Sequence, residues 1–127
     1  MYKASNGKCY YKVGLPIHTN LSDGAVSPEQ MAKIYREAGF DAVAITDHWV
    51  YHPQGEIGGL KIISGCEYNI DFGIRDTADG IMHIVGIGMK TKPELDEKTA
   101  RRQEVIDAIN DCGGMAVLAH PYWSLNT

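Results

Sequence analysis

The sequence predicts an α/β domain built on a parallel sheet. Residues 42–45 are an unbroken apolar run, Ala-Val-Ala-Ile, that ends abruptly in Thr46-Asp47-His48. That is the pattern of a buried strand with chemistry at its end. A helix-period segment precedes it, and another apolar run precedes that. Strand, helix and strand thus follow within about forty residues, the length of one βαβ unit. The 127 residues are 44% hydrophobic and 22% charged, which suits one domain with a packed core and argues against disorder.

Residues 10–17 read as the first strand. Pro16 weakens it, because proline lacks the N–H that a sheet ladder needs. The run from His18 to Gly24 (His-Thr-Asn-Leu-Ser-Asp-Gly) is loop chemistry. Ser27 then caps a helix, with Pro28 at its first position and Gln30 completing a capping box. Met31, Ile34, Tyr35 and Ala38 repeat at helical spacing, and Gly39 stops the helix. Residues 40–46 form the second strand, parallel to the first through a right-handed crossover.

Between Trp49 and Gly59 lie Pro53, Gly55, Gly58 and Gly59 without a helical period, so this segment is expected to be irregular. Residues 60–64 are the third strand, leading into Gly65-Cys66-Glu67. Residues 80–89 are the fourth. With no helix between them, strands three and four are expected to form a hairpin that brings His83 near Glu67. Residues 93–112 predict the strongest helix. Pro93 sits near its start and Glu94, Asp96 and Glu97 in its first turns, where the dipole favours acids. Val105, Ile106 and Ile109 give its buried face, and Gly113-Gly114 end it. Residues 115–119 are a fifth strand, stopping at His120-Pro121. No repeat or linker divides residues 1–127, so a single domain is expected.

Twelve basic against 16 acidic residues give a net charge of −4. No basic stripe is present, so nothing argues for an extended nucleic-acid surface. A small phosphorylated substrate or nucleotide would have to be held by metal or by a few local donors. Cys9, Cys66 and Cys112 are far apart and form no CxxC pair, as expected of reduced thiols. No apolar run approaches the ~18 residues of a membrane span, and residues 1–12 lack the apolar core of a signal peptide. A cytoplasmic location without membrane association is expected.

His18, His48, Glu67 and His120 each follow an apolar strand within a few residues. In parallel α/β folds the strand C-terminal ends open onto one face, where sites are built. Asp23 and His83 are local companions of His18 and Glu67. Histidine and carboxylate donors without cysteine suit Zn, Mn or Fe in a hydrolytic site. Each residue also has an ordinary reading: Asp23 as a turn residue, Glu67 as an exposed loop acid, His120 as a turn boundary. His52, in a Pro/Gly loop with no strand behind it, reads as a loop residue. Convergence of four strand ends favours the metal centre over these separate explanations.

These residues resemble the PHP (polymerase and histidinol phosphatase) family of metal-dependent phosphoesterases. The resemblance runs from about Tyr10 to Pro121. Leu15-Pro16-Ile17-His18-Thr19, followed by Ser22-Asp23-Gly24, is similar to the family's Leu-His-x-His-Thr and Ser-Asp-Gly motif. Ala44-Ile45-Thr46-Asp47-His48 resembles the second motif and Gly65-Cys66-Glu67 the third. His83-Ile84-Val85-Gly86 resembles a strand that supplies a further histidine. The segment from Gly113-Gly114 to Ala119-His120-Pro121 resembles the Gly-Gly…Ala-His-Pro motif.

The resemblance implies a distorted β/α (TIM-like) barrel with up to three divalent metal ions at its C-terminal face. It implies that His18 binds the first metal, that Glu67 bridges two, that His83 and His120 ligate the second, and Asp23 and His48 the third. Asp47 would stand behind a ligand or a water. The implied reaction is phosphoester hydrolysis by a metal-activated hydroxide. His48 and Asp47 are the candidates for proton handling, and the sequence does not choose between them.

Pro16 departs from the pattern, since it stands where the family has a metal-binding histidine. The family's last motif, Asp-x-His, has no counterpart before Thr127. A full β/α barrel takes about 200 residues or more, so only the N-terminal part of the barrel, or a divergent short member, is expected. These departures also open a non-catalytic alternative, a degenerate metal-binding module. Hydrolysis of a non-phosphate bond is a third reading, by fold analogy alone. An open sheet with uncovered edges and an apolar face is expected to associate with a second copy.

Overall fold

The computed structural model describes residues 1–70 and 82–119. Two short strands, β1 (Tyr2–Lys3) and β2 (Cys9–Tyr10), form an exposed antiparallel ribbon. The main body starts with β3 (Val13–Ile17), α1 (Pro28–Glu37) and β4 (Ala42–Ile45), the expected βαβ unit with parallel strands. Both halves of the capping box form. Ser27 Oγ accepts from Gln30 N at 3.1 Å, and Gln30 Oε1 accepts from Ser27 N at 3.2 Å. Pro16 is accommodated by a break in register. Gly14 pairs with Val43 and Ile17 with Ile45, so three steps on β3 match two on β4. An irregularity of this kind frees the proline from the ladder.

The segment expected to be irregular holds a strand. β5 (Gly55–Ile57) pairs antiparallel with β6 (Leu60–Ile63). The two-residue connection is Gly58-Gly59, with φ of 55° and 84°, which is the turn chemistry a tight hairpin requires. Arg36 Nη1 donates to Gly58 O at 2.6 Å and ties α1 to this turn. β6 in turn pairs parallel with β4, giving the order β3-β4-β6-β5.

After Ser64 the chain continues as β7 (Gly65–Ile70), so Glu67 lies within a strand rather than in a loop after one. β7 pairs antiparallel with β8 (Met82–Ile87), so the return strand meets residues 65–70 rather than the expected third strand, 60–64, and Asn69 faces His83. Gly80 and Ile81, placed in this strand by the sequence, lie outside the described residues. β9 (Met115–Leu118) pairs antiparallel with β8. Single bridges between His48 and Glu67 and between His52 and Gly65 connect the two sheets.

The second helix, α2 (Arg102–Asp111), is much shorter than expected. A separate turn at Asp96 precedes it. The Asp96 side chain accepts from Lys98 N at 2.8 Å, and its carbonyl accepts from Thr99 N and Ala100 N. This single turn is not continued, because Arg101 is extended (φ −97°, ψ 158°) and the helix begins anew after it. The helix starts after Arg101, whose N–H donates to Glu104 Oε1 at 3.3 Å.

Two cores result. Met31 and Ala32 of α1 cover Ile17, Val43, Ile45, Leu60 and Ile62. Val105 and Ile109 of α2 cover Cys66, Tyr68, Ile70, Ile84 and Met89. Among the described residues the strands do not close into a barrel. A cleft of about 440 Å³ remains between β3 and the β8–β9 pair, lined by Leu15, Pro16, Val85, Ile87, Val117 and Leu118. No helix among the described residues is long and apolar enough to cross a membrane.

Candidate metal centre

His18 follows β3, His48 follows β4, Glu67 lies in β7 and His83 is the second residue of β8. Because β8 runs antiparallel, its start reaches the end of the molecule where the parallel strands finish. Glu67 is the hub. Its carboxylate is buried, with 1% side-chain exposure, in a position that calls for a compensating charge. His18 Nε2 lies 3.1 Å from Oε1. His83 Nδ1 lies 2.9 Å and His48 Nδ1 3.3 Å from Oε2.

Asp23 closes the outer side, with Oδ1 2.9 Å from His18 Nδ1 and Oδ2 3.2 Å from His48 Nε2. The rings of His18 and His48 are 4.5 Å apart between centroids, and those of His48 and His83 are 5.7 Å apart. Burial pushes the Glu67 pKa up, but the histidines His83, His48 and His18 around it prevail and hold it below the ordinary glutamate value. The carboxyl is therefore anionic at neutral pH.

The backbone is shaped to deliver these groups. Thr46 N donates to Ile17 O at 2.7 Å, which aligns the ends of β3 and β4. Glu67 N donates to Asp47 O at 3.1 Å and Trp49 N to Glu67 O at 2.9 Å, so His48 is held on both sides against β7. Trp49 adopts φ 56°, a left-handed conformation uncommon for a bulky residue. The loop from His18 to Gly24 closes tightly, with Gly24 N donating to Thr19 O at 2.8 Å. A Cβ on Gly24 would stand 2.4 Å from His18 O.

Asp47 is fully buried and serves this loop. Its Oδ1 accepts from Thr19 N and Ser22 Oγ, each at 2.6 Å. Its Oδ2 accepts from Thr19 Oγ1 at 2.5 Å and His52 Nε2 at 2.7 Å. Burial raises the Asp47 pKa, yet the hydrogen bonds from Ser22, Thr19 and His52 outweigh it and bring it below the usual aspartate value.

His18, His48 and Glu67 offer donor atoms within 4.8 Å of one another, and His83 and Asp23 touch the same group. Two buried atoms that face each other, His48 Nδ1 and Glu67 Oε2, make no directed hydrogen bond. A divalent cation would satisfy both, so these residues fit a metal ion.

Pro16 lines the apolar cleft and offers no donor atom there. His120 lies outside the described residues. His52 departs from its reading as a loop residue: it is 9% exposed and bonded to Asp47. No local pattern marks it, because its place depends on pairing with Gly65, thirteen residues further along the chain.

Comparison with known proteins adds a family. The model of the PHP domain matches residues 15–113. The chain is also 30% identical over 122 residues to an uncharacterized protein of Methanocaldococcus jannaschii, an alignment spanning 87% of this chain and 68% of that protein.

Proposed function

The chain belongs to the PHP domain family, and from that premise we propose that it is a divalent-metal-dependent phosphoesterase acting on a small phosphorylated substrate or nucleotide. The observation that carries this is the buried Glu67 carboxylate ringed by His18, His48 and His83. In this reading Glu67, with His18, His83 and His120, would hold the inner ions, and Asp23 and His48 would hold the outer one. When bound, a divalent ion supplies Lewis-acid polarisation of the phosphoryl group and a water of lowered pKa.

The chain's own residues then have separable tasks. Glu67 contributes a buried negative charge that the three histidines and a bound cation would share. Asp23, with 62% side-chain exposure, marks the side from which a phosphate ester enters. His48 stands between Asp23 and Glu67; with an ion in the outer position it would be a ligand, and only without that ion would its Nε2 take up or release a proton. Asp47 works from behind by fixing the loop that bears His18 and Asp23. The sheets are read as part of a distorted β/α barrel. The exposed apolar residues Leu15, Val117 and Leu118 favour contact with a second copy.

A non-catalytic metal-binding module is the second reading, and Pro16 in place of a motif histidine favours it. Elemental analysis of purified protein, followed by a phosphoesterase screen with added Mn²⁺ or Zn²⁺, tests both. Two or three ions per chain and hydrolysis lost on chelation are expected. Bound metal without turnover of any phosphoester leaves the module, and a protein that binds no metal removes both readings.

A further inference from the structure

His52 belongs to none of the motifs and touches none of the candidate ligands in the described contacts, yet its placement is tightly specified. Its backbone pairs in both directions with Gly65, His52 N donating to Gly65 O at 2.9 Å and Gly65 N to His52 O at 3.0 Å. Gly65 can hold this position because a Cβ there would come 2.6 Å from Ile45 O. The ring is thereby set against Asp47, with Nε2 2.7 Å from Oδ2. A carboxylate only accepts, so Nε2 carries the proton and donates.

A carboxylate has about four lone-pair positions, and Asp47 fills them with Thr19 N, Ser22 Oγ, Thr19 Oγ1 and His52 Nε2. The first three come from the loop that carries His18 and Asp23. His52 alone comes from a different segment, and its backbone is anchored to the β7 strand that carries Glu67. It therefore links the two parts of the candidate centre: the loop bearing His18 and Asp23, and the strand bearing Glu67.

We infer that His52 is a positioning residue. By donating to Asp47 Oδ2 it fixes the Asp47 carboxylate in the orientation that holds Thr19 and Ser22, and so sets His18 and Asp23 toward Glu67. This rests on the metal-centre reading above, and the competing view is a buried histidine that contributes stability alone. Groups behind metal ligands typically change metal affinity by about 10–100-fold when lost.

The test uses the full chain and Co²⁺ as probe, with affinity from chelator competition, the visible spectrum of the Co²⁺ adduct, and thermal unfolding without metal. His52→Phe removes the donor, His52→Gln keeps an N–H donor, and Asp47→Asn provides a background in which the link is already broken. His52→Phe is expected to stay folded, bind Co²⁺ about 10–100-fold more weakly and shift the Co²⁺ spectrum. His52→Gln is expected to restore most of the affinity. Adding His52→Phe to Asp47→Asn is expected to lose nothing further, because the two act in series.

A folded His52→Phe with wild-type affinity and spectrum overturns the inference, as does a His52→Gln no better than His52→Phe. Additive losses in the double variant also overturn it. His52→Leu substitutes under the same criteria where the larger ring prevents folding. Wild-type protein that binds no Co²⁺ instead brings down the metal-centre reading itself, and the two failures are thus distinct.

Discussion

At the residue scale, Glu67 and Cys66 show how neighbours on one strand acquire opposite chemistry. Glu67 points into the histidine cluster, whereas Cys66 packs in the core beneath α2. Burial, with a hydrogen bond from Tyr68 opposing it, pushes the Cys66 thiol up to about 12, so it stays protonated and unreactive. Alkylation at pH 8 followed by peptide mapping should therefore modify exposed Cys9 and spare Cys66 until the protein is unfolded. Glu67→Gln keeps the shape and removes the charge. It should abolish stoichiometric metal binding, read by elemental analysis, while far-UV circular dichroism stays near wild type.

Asp47 gives a pH dependence with a definite sign. Its folded pKa lies below the ordinary value. Its stabilising contribution is therefore complete above the unfolded aspartate pKa of about 3.9 and is lost as pH falls through the folded value. Thermal midpoints of metal-free protein should fall with acidification below about pH 4, and Asp47→Asn should flatten that part of the curve.

At the scale of elements, local signals were legible and distant ones were not. The βαβ unit was readable because its information is contiguous: Ser27, Pro28 and Gln30 write the start of α1, Gly39 its end, and the apolar run to Ile45 its following strand. The approach of His83 to Glu67 is also readable, from the lack of a helix between two apolar runs, although the strand that pairs with β8 is 65–70 and not 60–64. Residues 93–101 differ from the helix expected there because acidic residues after a proline suit a helix start as well as a turn, and the extended backbone at Arg101 sets the start of α2 after them. The third strand read from the sequence ends at Ser64, and β7 goes unmarked because its partner, β8, lies beyond residues 71–81. His52 was invisible for the same reason, since only register brings it beneath Asp47.

The His18–Gly24 loop offers a test at this scale. The atom that a Cβ on Gly24 would meet is backbone, which cannot rotate away. Gly24→Ala should destabilise the protein by about 1–3 kcal/mol in urea unfolding and weaken metal binding as well, because the displaced loop carries both His18 and Asp23. A substitution at Gly55, where a Cβ meets nothing within 4 Å, should change neither.

For the whole molecule, the exposed cleft lined by Leu15, Val117 and Leu118 is an apolar surface open to association. Light scattering should show mass rising with concentration, and Leu118→Lys should reduce that rise without altering metal content.

The division into two cores carries a different consequence. β6 belongs to one sheet and β7 to the other, and the chain passes between them at Ser64 and Gly65. His18 and His48 stand on the α1 side, His83 on the α2 side, and Glu67 reaches all of them. An ion at that junction would act as a clasp, making each half's unfolding conditional on the other's. Metal at 100 times its dissociation constant should add about 2.7 kcal/mol to global stability. It should also merge the hydrogen-exchange behaviour of β3–β4 and β7–β8, which would open independently in metal-free protein. The same carboxylate that gathers the histidines would then decide whether the chain unfolds as one body or two.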